Sequence, residues 1–295
     1  SHEQLEREPS LFTIINTNSP LKLDTPMLQG ILEMSSRNQI VCVTPFTLAG
    51  AMAPVTMAGA LVEQNAEALA GIAFTQLVRK GAPVIYGGFT SNVDMKSGAP
   101  AFGTPEYMKA TVVGGQLARR YKVPFRTSNT CAANTMDAQA AYESVFSLWG
   151  LTMGGGNLIM HGAGWLEGGL SMGYEKFIMD CDQAGMMHTL LAGVDMSENG
   201  QAMDAIREVG PGKHFLGCAH TQANFETAFY RSPITDNNSF EQWEAEGGVD
   251  LSVRANALWK KQLAEYEAPP LDAAADEAVL DYVNRRKASF ADSNV

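Results

Sequence analysis

The stretch Gly154–Gly169, GGGNLIMHGAGWLEGG, decides how the rest of the chain is read. A short apolar run, Leu158–Met160, is fenced by three glycines ahead and by His161, Trp165 and Glu167 interleaved with glycines behind. Glycine lets backbone or ligand approach closely, so this is the pattern of a buried strand delivering polar and aromatic groups to a crowded place. Alone, it fits a core strand and a turn equally well, because glycine clusters mark turns more often than sites. Three earlier stretches of the chain end in the same way, and they tip the reading toward a site.

Working outward, apolar runs at 11–15, 39–46, 83–88, 123–128 and 156–161 read as strands, each followed by a helical pattern. Asp24-Thr25-Pro26 supplies an N-cap with proline in the first turn and opens a helix to Ser36. The next helices are expected over 56–78, from the Thr104-Pro105-Glu106 cap to Tyr121, from Asp137 to Trp149, and over 170–191. Five alternations of strand and helix mean parallel strands joined by crossovers, and near-continuous apolar strands mean a sheet covered on both faces or closed on itself. The class is α/β. No GxGxxG follows the first strand, and polar groups recur after every strand end, so a TIM-type (β/α)8 barrel is favoured over an open doubly wound sheet. Five units cannot close eight strands. The missing units are expected N-terminal to Ser1, so residues 1–195 are read as a partial (β/α) barrel holding the later units. Residues 196–295, where the alternation stops, are read as a C-terminal helical extension packed on it.

Composition removes several classes of function. The 295 residues carry a formal charge of −11, with 45% hydrophobic and 18% charged residues, so there is no basic footprint for nucleic acid and no polybasic segment for anionic lipid. Apolar stretches are interrupted well before the roughly 20 residues a membrane span needs, and no signal-peptide layout opens the chain, so a cytoplasmic home is expected. The four cysteines are far apart and form no CxxC pair. Three are expected in the core as small hydrophobes, with Cys131, in a polar loop, the candidate for exposure.

Collected from the strand ends, the candidate site groups are Thr44, Phe46 and Thr47; Tyr86, Phe89, Thr90, Asn92 and Asp94; Arg126, Ser128, Asn129 and Asn134; and His161, Trp165 and Glu167. The set is rich in aromatics, amides and hydroxyls and poor in carboxylates, with a single histidine, which disfavours a metal centre. No GxSxG elbow and no GxxxxGK[ST] loop occurs. Aromatic faces suit a quaternary or tertiary ammonium, whose diffuse charge prefers a π-face. Arg126 interrupts an apolar strand and should have an anionic partner, either an internal carboxylate or one on a substrate.

Four stretches carry a wider resemblance: TPFTLAGAMAPVTMAGALVEQNAEALAG (Thr44–Gly71), VIYGGFTSNVDMKSGAPAFGTPEY (Val84–Tyr107), DAQAAYES (Asp137–Ser144) and HGAGWLEGGLSMGYEKFIMD (His161–Asp180). They resemble the trimethylamine methyltransferase family, the MttB superfamily of corrinoid-dependent methyltransferases, and the likeness runs to about Lys287. It implies a TIM-barrel enzyme that moves a methyl group from a methylated amine to the cobalt of a separate corrinoid protein, with the corrinoid (cobalamin) held by that partner and no cofactor bound tightly by the chain itself. The archaeal trimethylamine enzymes of the family carry pyrrolysine in the barrel; this chain has standard residues throughout, which points to a quaternary amine such as glycine betaine. On that reading Tyr86, Phe89 and Trp165 cage the N-methyl cation and Arg126 engages a carboxylate. Asn92 adds to substrate binding, His161 and Asn129 orient the substrate, and Glu167 joins them as a catalytic candidate. No metal ligand set is expected, and a homo-oligomer is left open. The other readings are a non-catalytic amine-binding relative or fragment, and a barrel lyase acting on a carboxylated substrate at Arg126 and Glu167.

Overall fold

The computed structural model describes residues 2–290. Strands β1 (Phe12–Asn16), β2 (Ile40–Thr44), β3 (Val84–Gly87), β4 (Phe125–Ser128) and β5 (Leu158–Met160) lie side by side in chain order in one parallel sheet. Each is followed by a long helix: α1 (Thr25–Ser36), α2 (Met57–Val78), α3 (Pro105–Tyr121), α4 (Ala138–Gly154) and α5 (Tyr174–Ala192). Five consecutive βα units in this order make the curled half of a TIM-type barrel.

Register fixes which side chains share a face. Ile14 pairs with Cys42 and Cys42 with Ile85, while Gly87 pairs with Arg126 and Arg126 with Leu158. Side chains alternate along a strand, so Ile14, Cys42, Arg126 and Leu158 fall on one face, and Ile15, Val43, Tyr86 and Phe125 on the other. The second face is apolar and packs on the helices: Ile15, Val41 and Val43 with Ile31 of α1, and Tyr86 and Phe125 with Ala68 of α2 and Ala118 of α3. The first face is left to build the site.

Local chemistry sets the helix starts. The Asp24 carboxylate accepts the Met27 N–H at 3.0 Å, the Thr104 hydroxyl accepts that of Tyr107 at 3.2 Å, and the Asp137 carboxylate accepts that of Gln139 at 2.8 Å. Helix α4 runs past Trp149 because its first left-handed terminator is Gly155 (φ 69°). Helix α5 starts later than residue 170 because Trp165–Leu166 pairs antiparallel with Ser171–Met172 around a turn at Glu167–Gly169. At the C-terminal ends of β2 and β3, the segments Leu48–Ala49, Ser91–Val93 and Pro100–Ala101 form a small three-stranded sheet that ties those two loops together.

The chain divides into two compact units, 1–257 and 258–295. After α5, helices span Met203–Val209, Phe240–Ala245 and Leu251–Ala264, with Ala273–Ser289 inside the second unit. Among the described residues no helix is long and apolar enough to cross a membrane, and no cluster of His, Cys, Asp and Glu is arranged to hold a metal. The cysteine expectation is corrected: Cys131 is buried and Cys181, on α5, is exposed. The loop around Cys131 is polar in sequence but pinned, since the Glu143 carboxylate of α4 accepts the N–H groups of Ala132 and Ala133 at 2.7 and 2.9 Å.

Candidate functional site

The C-terminal ends of the strands border a cavity of about 400 Å³ lined by Asn16, Thr44, Phe46, Phe89, Arg126, Met160, His161, Trp165 and the Gly168–Leu170 turn. Larger open clefts occur near Asn134–Met136 and Asn256, and around Glu198–His220, but neither joins aromatic faces to an unpartnered charge.

The walls are aromatic. The Phe46 and Phe89 rings are 5.1 Å apart between centroids, Phe89 and Trp165 6.0 Å, and His161 and Trp165 4.2 Å. Phe102 and Tyr107 pack behind Phe89, and the Tyr107 hydroxyl donates to the Ser128 carbonyl at 2.8 Å, so the wall is backed by a rigid cluster.

Arg126 enters from the sheet. It is 3% exposed, its guanidinium carbon lies 5.3 Å from the Phe89 ring centroid, and its Nε and Nη1 groups are buried without a hydrogen-bond partner. No carboxylate pairs with it among the described residues. Burial lowers its pKa, and the Tyr107 hydroxyl and Cys42 thiol offset the lost hydration only in part. At Gly87, the register partner of Arg126, a Cβ would collide with the Thr44 hydroxyl and the Val43 carbonyl, so glycine there lets β3 lie close to β2.

His161 sits at the turn after β5 with left-handed backbone (φ 55°), and its Nδ1 is 3.2 Å from the Ser128 hydroxyl. A non-glycine residue there stores about 1–2 kcal/mol of backbone strain. Burial first, and then the Arg126 charge, push its pKa down to about 4, so the imidazole is neutral at physiological pH.

Two buried anchors hold the loop that carries His161 and Trp165. Asn129 donates its amide to the Gly162 carbonyl at 3.1 Å, and Asp180 of α5 accepts the Gly164 N–H at 2.8 Å. Asp180 is itself paired with Lys176 at 2.6 Å, both side chains fully buried, and Lys176 also donates to the Ser144 hydroxyl at 2.7 Å. The next turn is tied by the Glu167 and Gly168 N–H groups to the Ala133 and Cys131 carbonyls.

The structure therefore brings together Thr44, Phe46, Phe89, Arg126, His161 and Trp165 around the cavity and places Tyr86, Asn92, Asn129 and Glu167 outside its lining. Tyr86 lies on the helix-facing side of β3, its ring against Tyr121 and Phe125 and its hydroxyl bonded to Asn65 and Gln64. The Asn92 carboxamide bonds Thr104 and the Val93 carbonyl, and the residue is not part of the cavity lining. Asn129 serves the loop rather than the cavity wall, and the exposed Glu167 side chain lies outside the lining while its backbone shapes the turn. Phe46 completes the aromatic wall; its position after β2 was the signal that it belonged to the site.

With this geometry in place, comparison with known proteins is informative. The family model described as trimethylamine methyltransferase (MTTB) matches residues 1–291. The chain belongs to that family. It is 38% identical over 283 residues to a glycine betaine methyltransferase of Desulfitobacterium hafniense (strain Y51), covering 96% of this chain and 59% of that relative. It is 32% identical over 273 residues to the trimethylamine methyltransferase MttB2 of Methanosarcina mazei, covering 92% and 54% respectively. A trimethylamine methyltransferase MttB of Desulfitobacterium hafniense (strain DCB-2) is 31% identical over 270 residues, at 91% and 54%. The chain thus spans between half and three-fifths of the length of these curated members of the family.

Proposed function

We propose that the cavity is the donor site of a methyltransferase that takes an N-methyl group from a quaternary amine bearing a carboxylate, glycine betaine being the reference, and passes it to the corrinoid of a separate protein. The observation that carries the reading is Arg126, whose guanidinium keeps Nε and Nη1 buried and unmet and which lines a cavity walled in large part by Phe46, Phe89, His161 and Trp165. A zwitterion answers both features. Its carboxylate pairs with Arg126, and its methylated ammonium rests on Phe46, Phe89 and Trp165.

Arg126 anchors the carboxylate and so fixes the ammonium one methylene away, against the rings. The aromatic wall strips water from the cation, whose charge is dispersed as its methyl group departs. Neutral His161 adds no positive charge to the mouth, where an imidazolium would repel the substrate. A corrinoid carried by the partner protein would supply the methyl acceptor, and the chain's own role is to hold the substrate so that the C–N bonding pair stays on nitrogen and a neutral tertiary amine is left in the cavity.

Trimethylamine, the substrate in the name of several relatives, suits this cavity less well. Its protonated form would share the cavity with an uncompensated guanidinium, and at about 4–6 Å two like charges repel by several kcal/mol at an effective dielectric near 20. Isothermal titration with glycine betaine and with trimethylammonium tests the reading. Saturable binding of glycine betaine in clear preference to trimethylammonium is expected, and the reverse order or no binding of either overturns it.

A further inference from the structure

The hydrogen-bonding groups of the cavity are one-sided. Among the residues that line it, three buried atoms have no partner, and all three are donors: Nε and Nη1 of Arg126 and the indole Nε1 of Trp165. A buried N–H without an acceptor is expensive, and native proteins leave few of them. Both side chains pack on one ring, since the Phe89 centroid lies 5.3 Å from the Arg126 guanidinium carbon and 6.0 Å from the Trp165 ring centroid, and both line the same cavity.

The indole is also held in one orientation. Its six-membered ring lies against Gly169 (φ 97°), where any Cβ would collide with Cζ2, while Phe102 and His161 meet the ring edge to face. This places the edge that carries Nε1 and Cζ2 beside Gly169, itself part of the cavity lining. Packing alone does not demand tryptophan here, because phenylalanine would provide a face without a stranded donor.

We infer that Trp165 contributes its indole N–H as a second hydrogen-bond donor to the substrate carboxylate, beside Arg126, in addition to its ring face. The cavity is then a two-armed carboxylate clamp set into an aromatic wall, and Trp165 belongs to both parts. The inference rests on the donor-site reading above, and the following experiment separates the two.

The protein carries four tryptophans, so ¹⁵N-indole labelling gives four Nε1–H signals, and Trp165→Phe assigns one of them by its loss. Glycine betaine should move that signal downfield, whereas tetramethylammonium, which has no carboxylate, should not. In parallel, Trp165→Phe should weaken glycine betaine about tenfold or more, the loss expected for a hydrogen bond to a charged group, and weaken tetramethylammonium, which loses only the larger π-face, by a clearly smaller factor. If the unsubstituted protein binds no glycine betaine, the donor-site reading falls and takes this inference with it. If glycine betaine binds but neither moves the signal nor loses affinity in Trp165→Phe, only the second donor is overturned. Equal loss of both ligands in the variant likewise overturns it, reducing Trp165 to a ring in the wall.

Discussion

Replacing Arg126 with methionine should raise stability and abolish recognition at once. Arg126 is 3% exposed, with Nε and Nη1 unmet. Each unmet N–H is worth about 1–3 kcal/mol of destabilisation. Methionine retains a flexible apolar stem and has no donor to strand. Against this gain stands the lost contact between guanidinium and Phe89, about 0.5–2 kcal/mol. Two unmet groups less the lost contact leave a net stabilisation of about 0–5 kcal/mol, seen as a higher melting temperature, about 2–4 °C for each kcal/mol in a large domain. Removing one partner of a buried charge pair costs about 2–5 kcal/mol, so glycine betaine should bind about 30-fold to a few thousand-fold more weakly. Thermal unfolding followed by circular dichroism, with and without glycine betaine, reads both effects, because a ligand that binds the folded state raises its melting point. The wild-type protein should melt lower than the variant without ligand and shift upward with it, while the variant stays in place. A variant that melts lower than wild type would mean that Arg126 has an internal partner in solution. A variant that keeps the full betaine shift would mean that the carboxylate is held elsewhere.

Phe46→Leu should weaken glycine betaine by about 2- to 30-fold in a calorimetric titration, the range of one cation–π contact, and unchanged affinity would remove Phe46 from the wall. Asp180→Ala strands the fully buried Lys176 ammonium and should lower stability by about 3–5 kcal/mol in urea unfolding; a loss below about 1 kcal/mol would show that the ammonium escapes to water. His161, whose pKa is lowered from 6.5 to about 4, titrates in the unfolded chain before it does in the folded one. Between those values the unfolded state binds more protons, so stability should fall as the pH drops from about 6.5 to 4. His161→Asn should flatten that part of the pH profile of unfolding, and an unchanged slope would show that the imidazole is not desolvated.

The sequence made the five βα units legible because their signals are local. Asp24, Thr104 and Asp137 cap the helices through oxygens that sit two or three residues from the N–H groups they accept, and apolar runs mark the strands. Facing was harder to read. In PVIYGG every residue is apolar or glycine, so nothing in the run says which side of the sheet Tyr86 takes; register with Val43 and Phe125 turns it toward the helices. The placement of Asn92 is equally hard to read, because the small cross-sheet that uses it pairs segments distant in sequence. The burial of Cys131 depends on Glu143, a carboxylate on the next helix that no spacing rule connects to the loop it pins. Arg126, by contrast, was conspicuous from the start: a charge inside an apolar strand demands a partner, and the fold leaves that demand unmet.

The most direct test of the account is methyl transfer to cob(I)alamin, followed by the absorbance change on methylation, with the protein supplied in turn with glycine betaine and with trimethylamine. The account predicts transfer from glycine betaine, little or none from trimethylamine, and loss of the betaine reaction in Arg126→Met. Transfer from trimethylamine alone, or transfer from glycine betaine that survives Arg126→Met undiminished, would contradict it.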